Sequence, residues 1–165
     1  MVLACIATAA AEDVVTVAAE VVTASRSDQT LMDLPANVTV LTLDEMRYSA
    51  AITVDDMLRQ IPGFRLFRRS SSHVAHPTAQ GVSLRGVGAS GASRSLVMLD
   101  GMPLNDAFGG WVQWNKVPLE RLERVEVLRG GGAHLWGNYA LGGVIHLRTA
   151  MPRSRRRQDV VIVGD

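Results

Sequence analysis

Glycine is concentrated in one stretch near the C-terminal end of this chain, from Val125 to Thr149, which holds six of the fifteen glycines. Because glycine adopts positive φ angles readily and favours no regular element, the apolar runs on either side should end where the glycines begin. The pattern predicts a strand, a glycine turn, one short helical turn over residues 133–136, and a second strand over residues 144–149. Glycine at this density is typical of a backbone that passes close to another surface. We expect that surface to belong to protein outside this chain.

The length and composition fit one folded domain, with or without tails. The 165 residues are 47% hydrophobic, which is enough for a packed core. Seventeen basic residues oppose sixteen acidic ones, so the net charge of +1 predicts no nucleic acid or other polyanion as a partner. Every basic residue except Lys116 is arginine. Arginine is the better partner for bidentate carboxylate pairing, although high-GC coding would produce the same bias.

The N-terminal residues and the cysteine content bear on the cellular compartment. Residues 1–11 are small and apolar and end in three alanines before two acidic residues, which predicts the remnant of a secretory signal peptide. An apolar N-terminus without that meaning remains the alternative. Cys5 is the only cysteine, so a disulfide framework and a multi-cysteine metal site are excluded. No apolar run is long enough for a transmembrane helix.

Short strands and short helices are mixed along the chain, which predicts an α+β fold. Two capping patterns, Thr42 with Glu45 and Thr53 with Asp56, each predict the start of a short helix. Asp100-Gly101 is the strongest hairpin-turn signal. Further strands are predicted over residues 38–43, 64–67, 81–85 and 96–99.

The sequence holds no constellation that predicts catalysis. Gly86–Gly91 matches the spacing of a dinucleotide-binding loop, but a strand resumes within a few residues and leaves no room for the helix that such a site needs. Neither a nucleophile elbow nor an acid/base carboxylate pair is present. We predict that the chain is not an enzyme and carries no cofactor.

Two loops contain candidate binding residues. His73 and His76 could offer imidazoles to a metal, but without a nearby cysteine or carboxylate an ordinary polar loop is favoured and no metal site is predicted. Phe108, Trp111 and Trp114 lie in a loop with two glycines. They form either a platform for a ligand or part of the core.

Five motifs follow one another in a specific order. They are Leu58–Gly63, Val82–Gly86, Val97–Asp106, Leu122–Gly130, and Trp136–Gly137 with Gly142–Ile145. The set resembles the plug domain of TonB-dependent outer-membrane receptors, over about residues 21–149. The resemblance implies a plug-domain fold, namely a small mixed four-stranded β-sheet with short helices and long apical loops. Such a plug fills the lumen of a β-barrel of about 22 strands.

The resemblance also implies an organisation and a location. Residues 1–11 would be the signal remnant, 12–34 an extension with a TonB-box-like segment, 35–150 the plug, and 151–165 a linker with the start of a truncated barrel strand. The chain would be a fragment of a receptor in the outer membrane of a Gram-negative bacterium, with its N-terminus in the periplasm. A stand-alone periplasmic binding or signalling module is the alternative.

Site residues follow from the same resemblance. Residues Glu20, Val21, Val22, Thr23 and Ala24 resemble the TonB box, which pairs as a strand with the energy-transducing protein TonB. Residues 13–17 are a rival for that role.

Arg85 and Arg129 match plug arginines that pair with glutamates of the barrel wall. The ligand would be an iron–siderophore complex, haem or cobalamin. Two positions depart from the family pattern: Gly131 replaces a proline, which should loosen its turn, and His146 replaces an asparagine. The ligand-facing apical residues would be His73, His76, Gly91, Phe108, Trp111 and Trp114.

Overall fold

A computed structural model describes residues 21–22, 26, 29–30, 37–68, 70–87, 93–130 and 132–150. The predicted signal remnant and the linker after residue 150 lie outside them. The strands are β1 Val21–Val22, β2 Gln29–Thr30, β3 Asn37–Thr42, β4 Phe64–Leu66, β5 Val82–Leu84, β6 Ser95–Leu99, β7 Met102–Pro103, β8 Leu122–Arg129 and β9 Gly143–Thr149. The α-helices are α1 Leu43–Arg47, α2 Val54–Leu58 and α3 Ala133–Trp136. The 3₁₀ turns in the described residues are Pro77–Ala79, Trp114–Lys116, Leu119–Arg121 and Asn138–Ala140.

A mixed sheet of strand order β3-β8-β9-β6-β7 organises the fold. β8 runs antiparallel to β3 and β9, whereas β6 runs parallel to β9. The predicted mixed sheet is confirmed, and the two-residue β7 adds a fifth, edge strand through the hairpin at Asp100-Gly101. Both turn residues have positive φ, +48° and +85°, as a tight I′-type hairpin requires. Two further pairs, β1–β2 and β4–β5, are antiparallel.

The sheet separates two clusters of buried side chains. On one face, Val125, Val127, Ile145 and Leu147 pack with the helices α1 and α2 in the larger cluster. The other face carries a smaller cluster, whose members are Leu96, Met98, Leu128, Ala140 and Val144 with Trp136 packed against it.

Capping residues position the two helices of the larger cluster, as the sequence predicts. Thr42 and Glu45 form a complete capping box at the start of α1. The hydroxyl of Thr53 accepts from the backbone N–H of Asp56 at the start of α2. No helix in the described part of the chain is long and apolar enough to cross a membrane.

The glycine-rich stretch makes close approaches within the domain itself. A Cβ on Gly143, where φ is +137°, would stand 2.1 Å from the carbonyl oxygen of Leu128. A Cβ on Gly142 would stand 2.7 Å from the hydroxyl of Ser95. The glycines therefore let β9 begin between β8 and β6 without steric conflict.

Candidate functional site

The aromatic loop over residues 105–114 forms one side of a cleft of about 180 Å³. Asp106 shapes the loop, because its carboxylate accepts from the backbone N–H groups of Phe108 at 2.9 Å and Gly109 at 2.8 Å. The side chain of Asn105 accepts from Val97 at 2.7 Å and so ties the loop to β6. The cleft is lined by Ser93, Arg94, Phe108, Gly109, Gly110, Asn138 and Tyr139.

The three aromatic residues predicted to face a ligand have different environments. Phe108 is 97% exposed. Trp111 is half-buried, and its ring lies so close to Gly109 that a Cβ there would stand 1.5 Å from it. Trp114 is a correction, because its side chain is only 1% exposed and packs edge-on against Phe64 with 6.4 Å between ring centroids. It belongs to the larger cluster of buried side chains, where burial of its large ring is favourable.

His73 and His76 are both exposed, on the loop between β4 and β5. His76 contacts the hydroxyl of Thr78 at 2.8 Å. Among the residues that the structure describes, no group of three histidine, cysteine or acidic side chains could hold a metal ion. Gly91, the remaining predicted apical residue, lies outside the described residues.

A buried carboxylate that the sequence analysis missed holds this histidine loop. Asp55 in α2 is fully buried, accepts from the hydroxyl of Ser72 at 2.7 Å, and pairs with the guanidinium of Arg68 at 2.7 Å. Burial raises the pKa of Asp55, but hydrogen bonds from Ser72, Thr53 and Arg68 outweigh it, so its pKa lies below the usual value. The sequence signal for the burial of Asp55 is its position three residues before Leu58, which places it on the apolar side of the helix.

Arg85 and Arg129 lie at one edge of the domain, both beside Pro62-Gly63, where the backbone N–H of Arg85 donates to the carbonyl of Gly63 at 2.8 Å. The guanidinium of Arg129 donates to the carbonyl of Pro62 at 2.9 Å and to the side chains of Asn37 and Thr39. Arg85 has a left-handed backbone, φ +58°, and its Nη1 lies 2.8 Å from where a Cβ on Gly130 would stand. Arg85 is exposed and Arg129 is half-buried.

Part of the TonB-box-like segment is paired within the chain. In β1, Val21 pairs with Thr30 and Val22 with Gln29, antiparallel. Between the two strands, the guanidinium carbon of Arg26 lies 4.1 Å from the centre of the Trp136 ring. The other residues of the segment, Glu20, Thr23 and Ala24, lie outside the described residues, as do the rival residues 13–17 and Gly131.

A buried polar pair, Glu126 and His146, lies on the face of the sheet that carries the smaller cluster. Glu126 lies opposite His146 across β8 and β9, and its fully buried carboxylate pairs with Arg124 at 2.7 Å. Burial lowers the pKa of His146, and the positive charge of Arg148 lowers it further. The carboxylates of Glu126 and Asp100 act in the opposite direction but do not outweigh burial, so the pKa lies below its usual value. The imidazole is therefore neutral at neutral pH.

Comparison with known proteins identifies the family that has this architecture. The family model "TonB-dependent Receptor Plug Domain" matches residues 30–144. The chain belongs to this family. The plug domain is 33% identical over 144 residues to a vitamin B12 transporter, BtuB, of Vibrio vulnificus, which covers 87% of the chain and 22% of the transporter. It is 32% identical over 163 residues to the ferric enterobactin receptor PirA of Pseudomonas aeruginosa, covering 92% of the chain and 21% of the receptor.

Solved structures of receptors share the fold. The siderophore receptor PirA of Pseudomonas aeruginosa superposes with a TM-score of 0.53 and 28% identity, over 74% of the chain and 20% of the receptor. The ferric yersiniabactin uptake receptor FyuA of Yersinia pestis gives 0.54 and 27% identity, over 73% of the chain and 18% of the receptor. The plug domain thus spans about a fifth of the length of these relatives, which are transporters and receptors.

Proposed function

We propose that this chain is the gate and ligand-sensing plug of a TonB-dependent receptor that imports a large, scarce nutrient across the outer membrane. The nutrient is of the class of cobalamin, haem or an iron–siderophore complex, and the N-terminal segment faces the periplasm. The observation that carries the proposal is the family match over residues 30–144. A stand-alone periplasmic module is not favoured, since the relatives are transporters and receptors many times longer than a plug.

The edge formed by Arg85 and Arg129 supports a barrel as partner. Guanidinium groups at a partly buried surface form bidentate pairs with carboxylates and orient two surfaces well. Arg129 is held by acceptors of its own domain, whereas Arg85 is exposed beside Gly130. We therefore assign Arg85 as the residue that reaches a barrel glutamate, and Arg129 as the residue that fixes this edge.

The pairing of β1 supports a strand-addition contact with TonB. Val21 and Val22 already adopt an extended backbone against β2. A TonB strand that adds to this segment would use the same kind of backbone hydrogen bonds, either on the free edge of β1 or in place of β2.

The decisive experiment reads the genomic DNA on the 3′ side of codon 165. A barrel-coding region appears as a series of alternating apolar and polar segments of about ten residues, separated by turn residues. We expect such a region in frame or just beyond a frameshift. Unrelated sequence at that place would overturn the transporter function for this gene product.

A binding experiment tests the TonB contact and decides between the two segments. Immobilised C-terminal domain of TonB from the source organism should retain the 165-residue chain. A proline removes a backbone donor, so Val22→Pro should abolish retention, while Val15→Pro should leave it unchanged. The reverse result would assign the TonB box to residues 13–17. Retention of both variants would exclude strand addition at either segment.

A further inference from the structure

A titratable side chain lies inside the sheet, on the face that carries the smaller cluster. His146 is 9% exposed, and its neighbours in the strand register are Glu126 of β8 and Met98 of β6. Both of these neighbours are fully buried. The other three histidines of the chain are exposed, namely His73, His76 and His134. Protonation of His146 therefore differs from that of the others, because it adds a charge to the interior of the domain.

The next row of side chains on this face, toward the end of β9, is cationic. Arg124 and Arg148 lie directly opposite each other across β8 and β9. Like charges at opposite positions of an antiparallel pair are destabilising. The carboxylate of Glu126 offsets this repulsion, because its Oε1 lies 2.7 Å from Nε of Arg124. On its other side, β8 faces the uncharged Val40 and Thr42 of β3.

The remaining charged groups around this row are carboxylates nearer to solvent. Asp100, at the turn after β6, accepts from the backbone N–H of Thr149 at 2.9 Å and from its hydroxyl at 2.7 Å. Asp44 of α1 and Glu123 of β8 line a cleft of about 420 Å³ together with the two arginines. Both of these carboxylates are exposed, so water and salt screen them. Glu126 is therefore the buried anion on which the neutralisation of the two arginines depends.

We propose that His146, Glu126 and Arg124 form a proton-operated switch, in which protonated His146 competes with Arg124 for the Glu126 carboxylate and loosens this end of the sheet. While the imidazole is neutral, the carboxylate neutralises Arg124. When an imidazole nitrogen takes up a proton from water, the carboxylate lies between two cations, and the charge of Arg124 is left opposite Arg148. The inference goes beyond the import function and does not depend on it.

The switch acts in the acid range and at one end of the strands. Burial keeps the pKa of His146 below its ordinary value of 6.5, so the imidazole gains its proton only as the pH falls below that value. Toward the other end of the same face, Leu128 lies opposite Val144, and both side chains are apolar and buried. Loosening is therefore confined to the end that carries Arg124 and Arg148.

The test is an NMR titration of the complete, isotope-labelled chain from about pH 7.5 to about pH 4.5. We expect the Nε–H resonance of Arg124 to shift with the same midpoint as the ring signals of His146, because both follow one proton. Backbone amides of Arg124 and Arg148, corrected for intrinsic exchange, should exchange about tenfold faster below that midpoint, as expected when a bond to a charged group is lost. Amides of Leu128 and Val144 should not change.

Two variants separate the proton site from the repulsion that it releases. In His146→Asn, which removes the proton site, the Arg124 resonance should stay constant over the same pH range. In Arg148→Gln, which removes the opposing cation, that resonance should still follow His146, but the backbone amide of Arg124 should keep its slow exchange. The matched controls His73→Asn and Arg47→Gln remove exposed side chains and should behave like the parent chain.

Three outcomes would overturn the switch. The first is an Arg124 resonance that does not follow the titration of His146, and this comparison needs only the parent chain. The second is the same pH response in His146→Asn as in the parent. The third is equal acceleration of exchange at Arg124 and at Leu128, since that would be loosening of the whole sheet and not of one end.

Discussion

At the scale of single residues, backbone conformation limits which side chains the plug domain tolerates. Gly143 and Gly137 both have positive φ, at +137° and +78°, but their surroundings differ. A Cβ on Gly143 would overlap the carbonyl of Leu128, whereas a Cβ on Gly137 would meet nothing within 4 Å. Alanine substitutions at these two positions therefore distinguish the cost of steric overlap from the cost of conformational strain alone.

Gly143→Ala should lower the free energy of unfolding by about 3 kcal/mol or more, because β8 or β9 must shift to make room. Gly137→Ala is the matched control and should cost about 1–3 kcal/mol of strain alone, because its φ of +78° and ψ of −169° lie in a region nearly restricted to glycine. Urea denaturation followed by tryptophan fluorescence measures both. Equal midpoints for the two variants would show that the contact with Leu128 has no steric role.

Asp55 is the second residue whose environment decides how much stability a substitution removes. Its carboxylate is buried between Arg68 and Ser72, whereas the neighbouring Asp56 pairs with Arg59 at 3.6 Å on a partly exposed surface. Removing one partner of a buried pair leaves an uncompensated charge, while an exposed pair contributes little.

Asp55→Asn should lower the free energy of unfolding by about 3 kcal/mol, and Asp56→Asn by less than about 1 kcal/mol. Urea denaturation at neutral pH gives both values. Amide hydrogen exchange over residues 70–76 should also accelerate in Asp55→Asn alone, because the histidine loop loses its anchor. Similar losses in the two variants would contradict the assignment of Asp55 as that anchor.

At the scale of elements, the pairing of β8 with β9 brings Glu126 and His146 together inside the domain. Burial keeps the pKa of His146 below its ordinary value of 6.5. The unfolded chain therefore binds a proton at a higher pH than the folded domain does. Stability is fully present above pH 6.5 and falls as the pH drops toward the lowered pKa.

His146→Asn should remove this part of the pH dependence. The free energy of unfolding of the parent chain should fall as the pH drops below 6.5 toward the lowered pKa of the folded domain, and that of His146→Asn should fall less. His73→Asn, at an exposed position, should behave like the parent chain. Parallel pH profiles for the parent and His146→Asn would contradict a buried, neutral imidazole.

Elements were predictable where the signal is local. The caps at Thr42 and Thr53 and the hairpin at Asp100 depend on hydrogen bonds and dihedral angles within a few residues, so the sequence shows them directly. Trp114 was predicted to face the ligand because the local sequence shows only that it lies in a loop. Its burial against Phe64 depends on a residue fifty positions earlier, which no local pattern reveals.

At the scale of the whole molecule, the N-terminal hairpin of β1 and β2 contacts the second face of the domain through Arg26 and Trp136. Trp136 belongs to α3, which is followed by the turn that carries Tyr139 of the cleft. The segment proposed to meet TonB is thus linked to the domain near the cleft beside the aromatic loop.

Arg26→Gln should loosen this hairpin without affecting the central sheet. A cation–π contact at an exposed site contributes about 0.5–1 kcal/mol, so amide exchange at Val21 and Val22 should accelerate about twofold to fivefold. Exchange over β8 and β9 should not change, and Arg47→Gln should change neither region. Unaltered exchange at Val21 and Val22 would show that the hairpin does not depend on Arg26.

The sequence by itself determined the family, the order of the elements, and the glycine positions at which β8 ends and β9 begins, because motifs, caps and turns are encoded over short distances. Only the tertiary structure decided what those glycines approach. Gly143 meets Leu128 through the pairing of β9 with β8, and Gly130 meets Arg85, which follows β5 in a separate pair of strands. Likewise, the burial of Asp55 and the cleft beside Arg94 arise where separate segments converge. Such convergence depends on packing and register across the whole sheet, and local sequence does not specify it.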